Sequence, residues 1–144
     1  MTIQEILRSK GSRVITTVET TTILAAVKAM VASRVGALLV TDGSGKPVGI
    51  FTERDVLRQV AEHIVNVETT LVGQVMNRDV IIGLPDDDVE KVLGIMTEKR
   101  VRHIPVMDGG KLVGMISIGD IVKARLSHTD FEAHHLRDYI MGRY

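Results

Sequence analysis

Residues 14–40, VITTVETTTILAAVKAMVASRVGALLV, align without gaps to residues 80–106, VIIGLPDDDVEKVLGIMTEKRVRHIPV. Val14-Ile15 falls over Val80-Ile81, Met30 over Met96, Arg34-Val35 over Arg100-Val101, and Val40 over Val106. One residue then drops out of a turn, Asp42-Gly43-Ser44-Gly45-Lys46 becoming Asp108-Gly109-Gly110-Lys111. The match resumes with Val48-Gly49-Ile50 over Val113-Gly114-Met115 and Asp55 over Asp120. The lead-ins Thr2–Leu7 and Leu71–Met76 share the same apolar pattern. Agreement at one offset over so many positions marks a duplicated supersecondary unit. The repeats divide the chain into residues 1–66 and 67–126, with a linker near 62–70 and an extension over 127–144.

Each copy predicts the same elements. A short apolar strand (Val14-Ile15; Val80-Ile81-Ile82) precedes a helix whose apolar residues recur at helical spacing: Ile23, Ala26, Val27, Met30 and Val31, then Val89, Val92, Leu93 and Met96. Asp86-Asp87-Asp88 at the second helix's start and Lys99-Arg100 at its end suit the helix dipole. A hairpin follows, Ala37–Thr41 to Val48–Phe51 and His103–Met107 to Leu112–Ile116, joined by Asp/Gly turns. Glu53–Ala61 and Ile118–Leu126 close the copies as helices. The fold class is therefore α+β, two β-α-β-β-α repeats. A unit this small has little interior of its own. The expectation is that the two copies pack sheet to sheet about a pseudo-two-fold axis, with clefts where they meet, and that a C-terminal helix covers 127–144.

Composition narrows the function. The chain has 144 residues, 44% hydrophobic and 25% charged, within the ordinary range for a globular protein. Aromatics are only 3%, so the core is built from aliphatic residues and methionine. The 18 basic and 18 acidic residues cancel, which with the lack of stacking aromatics disfavours nucleic acid. The absence of cysteine excludes disulfides, thiolate catalysis and cysteine metal sites. No apolar run is long enough to span a membrane and no signal pattern opens the chain, so the expected location is cytoplasmic.

Two segments carry the chemistry, Gly49-Ile50-Phe51-Thr52-Glu53-Arg54-Asp55 and Gly114-Met115-Ile116-Ser117-Ile118-Gly119-Asp120. In each, a hydroxyl residue ends a strand and opens a helix, where free backbone N–H groups and the positive dipole end suit a phosphate. An aspartate one turn in can accept hydrogen bonds from the vicinal hydroxyls of a ribose. The same spacing also makes a helix capping box, Thr52 with Asp55 and Ser117 with Asp120, which needs no ligand.

With the hairpins that precede them, these segments resemble the CBS (cystathionine-beta-synthase-type) domain family. Its pattern of an apolar-x-apolar-Pro-Val strand, a Gly-rich turn and Gly-apolar-apolar-Thr/Ser-x-x-Asp is matched by His103–Gly109 with Gly114–Asp120. Ala37–Gly43 with Gly49–Asp55 match it too, with Leu39 in place of the proline. The resemblance covers residues 1–126. It implies a non-catalytic regulatory module that binds an adenine nucleotide: AMP first, with NAD(H) or ATP as alternatives. Thr52 and Ser117 would contact phosphate and Asp55 and Asp120 the ribose. Backbone of Gly36, Ala37 and Leu38, and of Arg102, His103 and Ile104, would embrace adenine, with Thr16, Thr17 and Ile82 lining the site and Pro105 also among its ligand-binding residues. Family members that stand alone assemble as homodimers, often a flat four-lobed disc, so a homodimer and a separate protein target are expected.

Arg54, in a first helical turn, is the best placed arginine for a phosphate; Arg100 reads as a solvated surface residue. His134-His135 lacks the companions of a metal site and reads as surface or interface. Phe131, Leu136, Tyr139 and Ile140 form an apolar face in the extension. No nucleophile–base set or metal set is present, so no catalytic residue is assigned. The rival to a nucleotide sensor is a ligand-free dimerisation scaffold.

Overall fold

The computed structural model of the chain describes residues 1–62 and 66–127. The extension expected over 127–144, with His134, His135 and its apolar face, lies outside the described residues apart from Ser127. In chain order the elements are α1 (Ile3–Lys10), β1 (Thr16–Thr17), α2 (Ile23–Ser33), β2 (Ala37–Thr41), β3 (Pro47–Thr52), α3 (Glu53–Ala61), α4 (Val72–Val75), α5 (Val89–Lys99), β4 (His103–Asp108), β5 (Lys111–Ser117) and α6 (Ile118–Leu126). The mixed α+β class and the two repeats stand. Both closing helices fall on their expected residues.

The compact units are cut differently from the repeats. One is the contiguous stretch Arg13–Ile82; the other joins Met1–Ser12 to the chain from Gly83 onward. Each repeat's lead-in therefore packs with the other repeat. Neither lead-in is a helix in the strand–helix–hairpin–helix pattern, yet both fold as one. Thr2 caps α1 through a reciprocal box with Glu5, and Ile3, Ile6 and Leu7 form its buried face.

In the contiguous unit, β1 pairs parallel with β2, which pairs antiparallel with β3. Ile23, Ala26 and Met30 of α2 pack on Leu38, Val40 and Phe51, joined by Val72 and Met76. Each large side chain fully buried here contributes roughly 1.5–3 kcal/mol of transfer free energy. Val31, expected on this apolar face, is instead 72% exposed. The buried stripe runs through Ile23, Ala26 and Met30, and one further residue turns 100° off it.

In the composite unit, β4 and β5 form a two-stranded antiparallel sheet. Ile104, Val106 and Ile116 are buried there together with Val89, Val92 and Met96 of α5, Ile3 and Ile6 of α1, and Ile121 of α6. The expected strand Val80-Ile81-Ile82 does not form; only an isolated bridge, Gly83 to Val106, remains. Proline supplies the reason. In the contiguous unit the Leu39 amide donates to the Ile15 carbonyl at 3.2 Å and ties the first strand to β2. The matching residue is Pro105, which has no N–H to donate. What remains is the bridge equivalent to Thr17 with Val40: Gly83 donates to the Pro105 carbonyl and accepts from the Met107 amide.

The motif glycines are where the exchanged lead-ins dock. A Cβ on Gly114 would sit 2.5 Å from a methyl carbon of Leu7, and one on Gly49 would sit 2.5 Å from the Met76 sulfur. Leu7 and Met76 occupy equivalent lead-in positions, so the two copies use one docking scheme. A bulge at Val40/Thr41 recurs at Val106/Met107, and α2 and α5 both end on a left-handed arginine, Arg34 and Arg100, with φ of 55° and 56°.

Candidate functional site

Strand register assembles the motif residues at one corner of each unit. Ala37 lies opposite Thr52, and the Gly36 carbonyl accepts from the Glu53 amide at 3.0 Å. Likewise His103 lies opposite Ser117, and the Arg102 carbonyl accepts from the Ile118 amide at 2.9 Å. Gly36, Ala37, Thr52 and Asp55 are thus brought together in one unit, and Arg102, His103, Ser117 and Asp120 in the other.

The remaining candidates sit apart from these corners or behind them. Thr16 and Thr17 lie level with Leu39 and Val40, further along the sheet than Ala37, and the Thr17 hydroxyl bonds that of Thr21 at 2.8 Å. Leu38, Ile104 and Pro105 are buried, so their backbone is what they could offer a ligand. Ile82 is outside any strand and exposed. Arg54 is exposed at the second position of α3, beside Thr52. Arg102 is exposed as well, and Arg100 has the solvated setting expected of it.

Both motifs form complete capping boxes. Asp55 Oδ2 accepts from the Thr52 amide at 2.8 Å and from its hydroxyl at 3.2 Å, while the Asp55 amide donates to Thr52 Oγ1. Asp120 Oδ2 accepts from the Ser117 amide at 2.8 Å, and the Asp120 amide donates to Ser117 Oγ at 3.1 Å. The first-position amides of both helices are taken by the Gly36 and Arg102 carbonyls. Among the described residues that leaves the second-position amides, of Arg54 and Gly119, as the open donors for an anion at these helix starts.

The two aspartates differ in what else holds them. Asp55 is only 6% exposed, and its Oδ1 accepts from Arg58 Nη1 at 3.4 Å. Asp120 is more open, its side chain 22% exposed. Its partner is Lys10, at the end of α1, whose ammonium donates to Asp120 Oδ2 at 2.5 Å and to the Met115 carbonyl at 2.6 Å. Burial pushes the Asp120 carboxyl up. The hydrogen bond and charge of Lys10, with the Ser117 bonds, outweigh that and hold it below the ordinary aspartate value.

Sequence reasoning missed Lys10 and Arg58. Arg58 stands one turn beyond Asp55 and was legible as a helical pair. Lys10 is 110 residues from Asp120, and nothing in the spacing links them until the lead-in is seen to cross to the other repeat. Among the described residues there is no group of three or more His, Cys, Asp or Glu side chains placed to hold a metal ion. No helix among them is long and apolar enough to cross a membrane.

Comparison with known proteins bears on this arrangement. The CBS domain family profile matches residues 3–62 and 72–127. The mitochondrial CBS domain-containing protein CBSX3 of Arabidopsis thaliana is 34% identical over 99% of this chain and 73% of its own length. A CBS-domain containing protein from Agrobacterium tumefaciens has a crystal structure that superposes with a TM-score of 0.82 at 37% identity, covering 87% of this chain and 99% of that one. The CBS domain pair of the protein MJ0100, solved in complex with 5'-methylthioadenosine and S-adenosyl-L-methionine, has a TM-score of 0.78 at 25% identity, covering 90% of this chain and 98% of that one. Two matched repeats spanning most of the chain, and a relative similar over nearly all of it, place this protein in the CBS domain family as a tandem CBS pair.

Proposed function

We propose that this CBS pair is a regulatory module that binds an adenosine-containing ligand at its Thr/Ser-x-x-Asp corners. A bound ligand would shift the protein between states that a separate partner distinguishes. AMP is the first candidate, with NAD(H) and ATP next. The reading includes a homodimer, a protein target, cytoplasmic residence and no catalytic role. One observation carries it: each unit gathers a helix start with an open amide, a motif hydroxyl and a carboxylate at one corner. That is the set a nucleoside phosphate requires, on a chain whose structural neighbour MJ0100 is complexed with adenosine compounds.

A scaffold without ligand is the second reading, favoured by the completed capping boxes, which satisfy Thr52, Asp55 and Ser117 internally.

Melting the protein with AMP, ADP, ATP, NAD+, NADH, S-adenosylmethionine and 5'-methylthioadenosine separates the two. A ligand at a hundred times its dissociation constant adds about 2.7 kcal/mol of stability, a shift of several degrees. If no adenosine compound raises the melting temperature, the sensor reading fails and the scaffold stands. Sedimentation checks the dimer, and cell fractionation checks the compartment.

A further inference from the structure

The two units meet their motif strands with lead-ins of different length. Between Leu7 and Val14 lie residues 8–13, whereas only residues 77–79 separate the equivalent Met76 and Val80. The short connection brings its own backbone to the strand, and the Asn77 amide donates to the Ile50 carbonyl at 3.0 Å. The longer one stays helical to the end of α1 and meets the matching carbonyl, that of Met115, with the Lys10 ammonium at 2.6 Å. A full positive charge thus stands where the other unit has a neutral N–H. The same ammonium donates to Asp120 Oδ2 at 2.5 Å, and that oxygen also accepts from the Ser117 amide at 2.8 Å. Lys10 is therefore fixed beside the start of α6. The motif itself lacks a cation there: the residue of α6 equivalent to Arg54 of α3 is Gly119. Asp120 follows Gly119 directly, and its carboxylate by itself would repel an anion at the open Gly119 amide. The Lys10 charge cancels that repulsion. Its two bonds use two of the three ammonium donors, and the side chain is 31% exposed, so the charge is held in place yet within reach of solvent.

We propose that Lys10, delivered by the exchanged lead-in helix, is the specificity-determining cation of the composite corner: it makes that corner select adenosine ligands bearing a phosphate over neutral ones. Arg54 plays the same part at the contiguous corner, from the motif helix itself. The inference rests on the nucleotide reading above and narrows its ligand to the phosphorylated class. It also makes helix α1 part of the binding site, although no position in the repeat motif points to it.

The test is calorimetric titration of the full chain with AMP and with adenosine, which has the same base and ribose and no charge. Failure of the wild type to bind either compound defeats the nucleotide reading itself. Equal affinity for the two, or a preference for adenosine, leaves that reading intact and overturns selection by charge. Lys10→Gln keeps a donor for the Met115 carbonyl but removes the charge. It should weaken one AMP step by about tenfold, the scale of one charge-assisted hydrogen bond, and change adenosine binding little. Lys10→Arg should keep the preference, and Arg54→Gln should weaken the other AMP step. A lysine that merely pins α1 would weaken both ligands alike, so an unchanged AMP-to-adenosine ratio in Lys10→Gln overturns the proposal. Loss of one and the same step in Lys10→Gln and Arg54→Gln overturns the assignment of the two cations to separate corners. A second readout needs no variant: the NMR signal of the Lys10 methylene next to the ammonium should shift with AMP and not with adenosine, and equal responses to the two overturn the proposal.

Discussion

A single methyl group added at Gly49 should destabilise the protein, whereas the same methyl at Gly94 should stabilise it. At Gly49 a Cβ would lie 2.5 Å from the Met76 sulfur, 2.8 Å from its terminal carbon and 3.0 Å from the Asn77 carbonyl oxygen. The thioether is flexible and can leave its preferred rotamer for about 1 kcal/mol. The backbone has less freedom. Asn77 and Ile50 exchange hydrogen bonds in both directions, at 2.9 and 3.0 Å, and moving that carbonyl away weakens one of them at a cost of about 1 kcal/mol. Against this, alanine restricts the unfolded chain and returns about 0.5 kcal/mol. The net for Gly49→Ala is a loss of about 1.5 kcal/mol, inside the usual range for overpacking. Gly94 lies within α5 with nothing inside 4 Å of its Cβ position, so Gly94→Ala gains about 0.8–1 kcal/mol from helix propensity alone. Urea denaturation followed by circular dichroism, compared at constant slope, measures both. A Gly49→Ala variant as stable as the wild type would refute the docking role given to the motif glycine, and a destabilised Gly94→Ala would refute the open space assigned to that helical position. Adding Met76→Ala to Gly49→Ala should show favourable coupling, since the truncated side chain vacates the space the methyl needs.

Two further outcomes follow from the described geometry. Arg34→Gly and Arg100→Gly should each stabilise the protein by about 0.5–1 kcal/mol, because both arginines hold left-handed φ values that glycine adopts without strain; unchanged or lowered urea midpoints would count against this. The Asp120 carboxyl is held below its ordinary value in the folded state. Its contribution is therefore full above the unfolded pKa and lost as pH falls through the lowered folded one. Lys10→Met should melt below the wild type at neutral pH, with the gap closing as the buffer is taken to about pH 2; a gap independent of pH would contradict the pairing.

Much of the fold was legible because duplication checks itself. The hairpins and both closing helices follow from period and turn chemistry seen twice. The readings that changed did so where the copies are not equivalent, or where contacts are distant in sequence. Val80-Ile81-Ile82 is as apolar as a strand should be. Yet pairing needs an amide on the neighbouring strand, and Pro105, the residue that made the motif recognisable, withholds it. The lead-in helix α1 carried local signals, with Thr2 and Glu5 at capping-box spacing and an apolar face, but a helix of eight residues is marginal without tertiary support. Its support comes from the far repeat. For the same reason Lys10 was invisible: charge pairing across 110 residues leaves no pattern along the chain.

The way the units are cut also sets an order of events during synthesis. All of Arg13–Ile82 is available once a little more than half the chain has been made, so that unit can fold while the remainder is still being translated. The composite unit cannot be completed then. Its first helix is made before the rest of that unit, yet must wait for β5 and α6, the final elements of the repeat, before Ile3, Ile6 and Leu7 have their partners to pack against. Until then three apolar side chains of α1 are exposed to whatever else the growing chain meets.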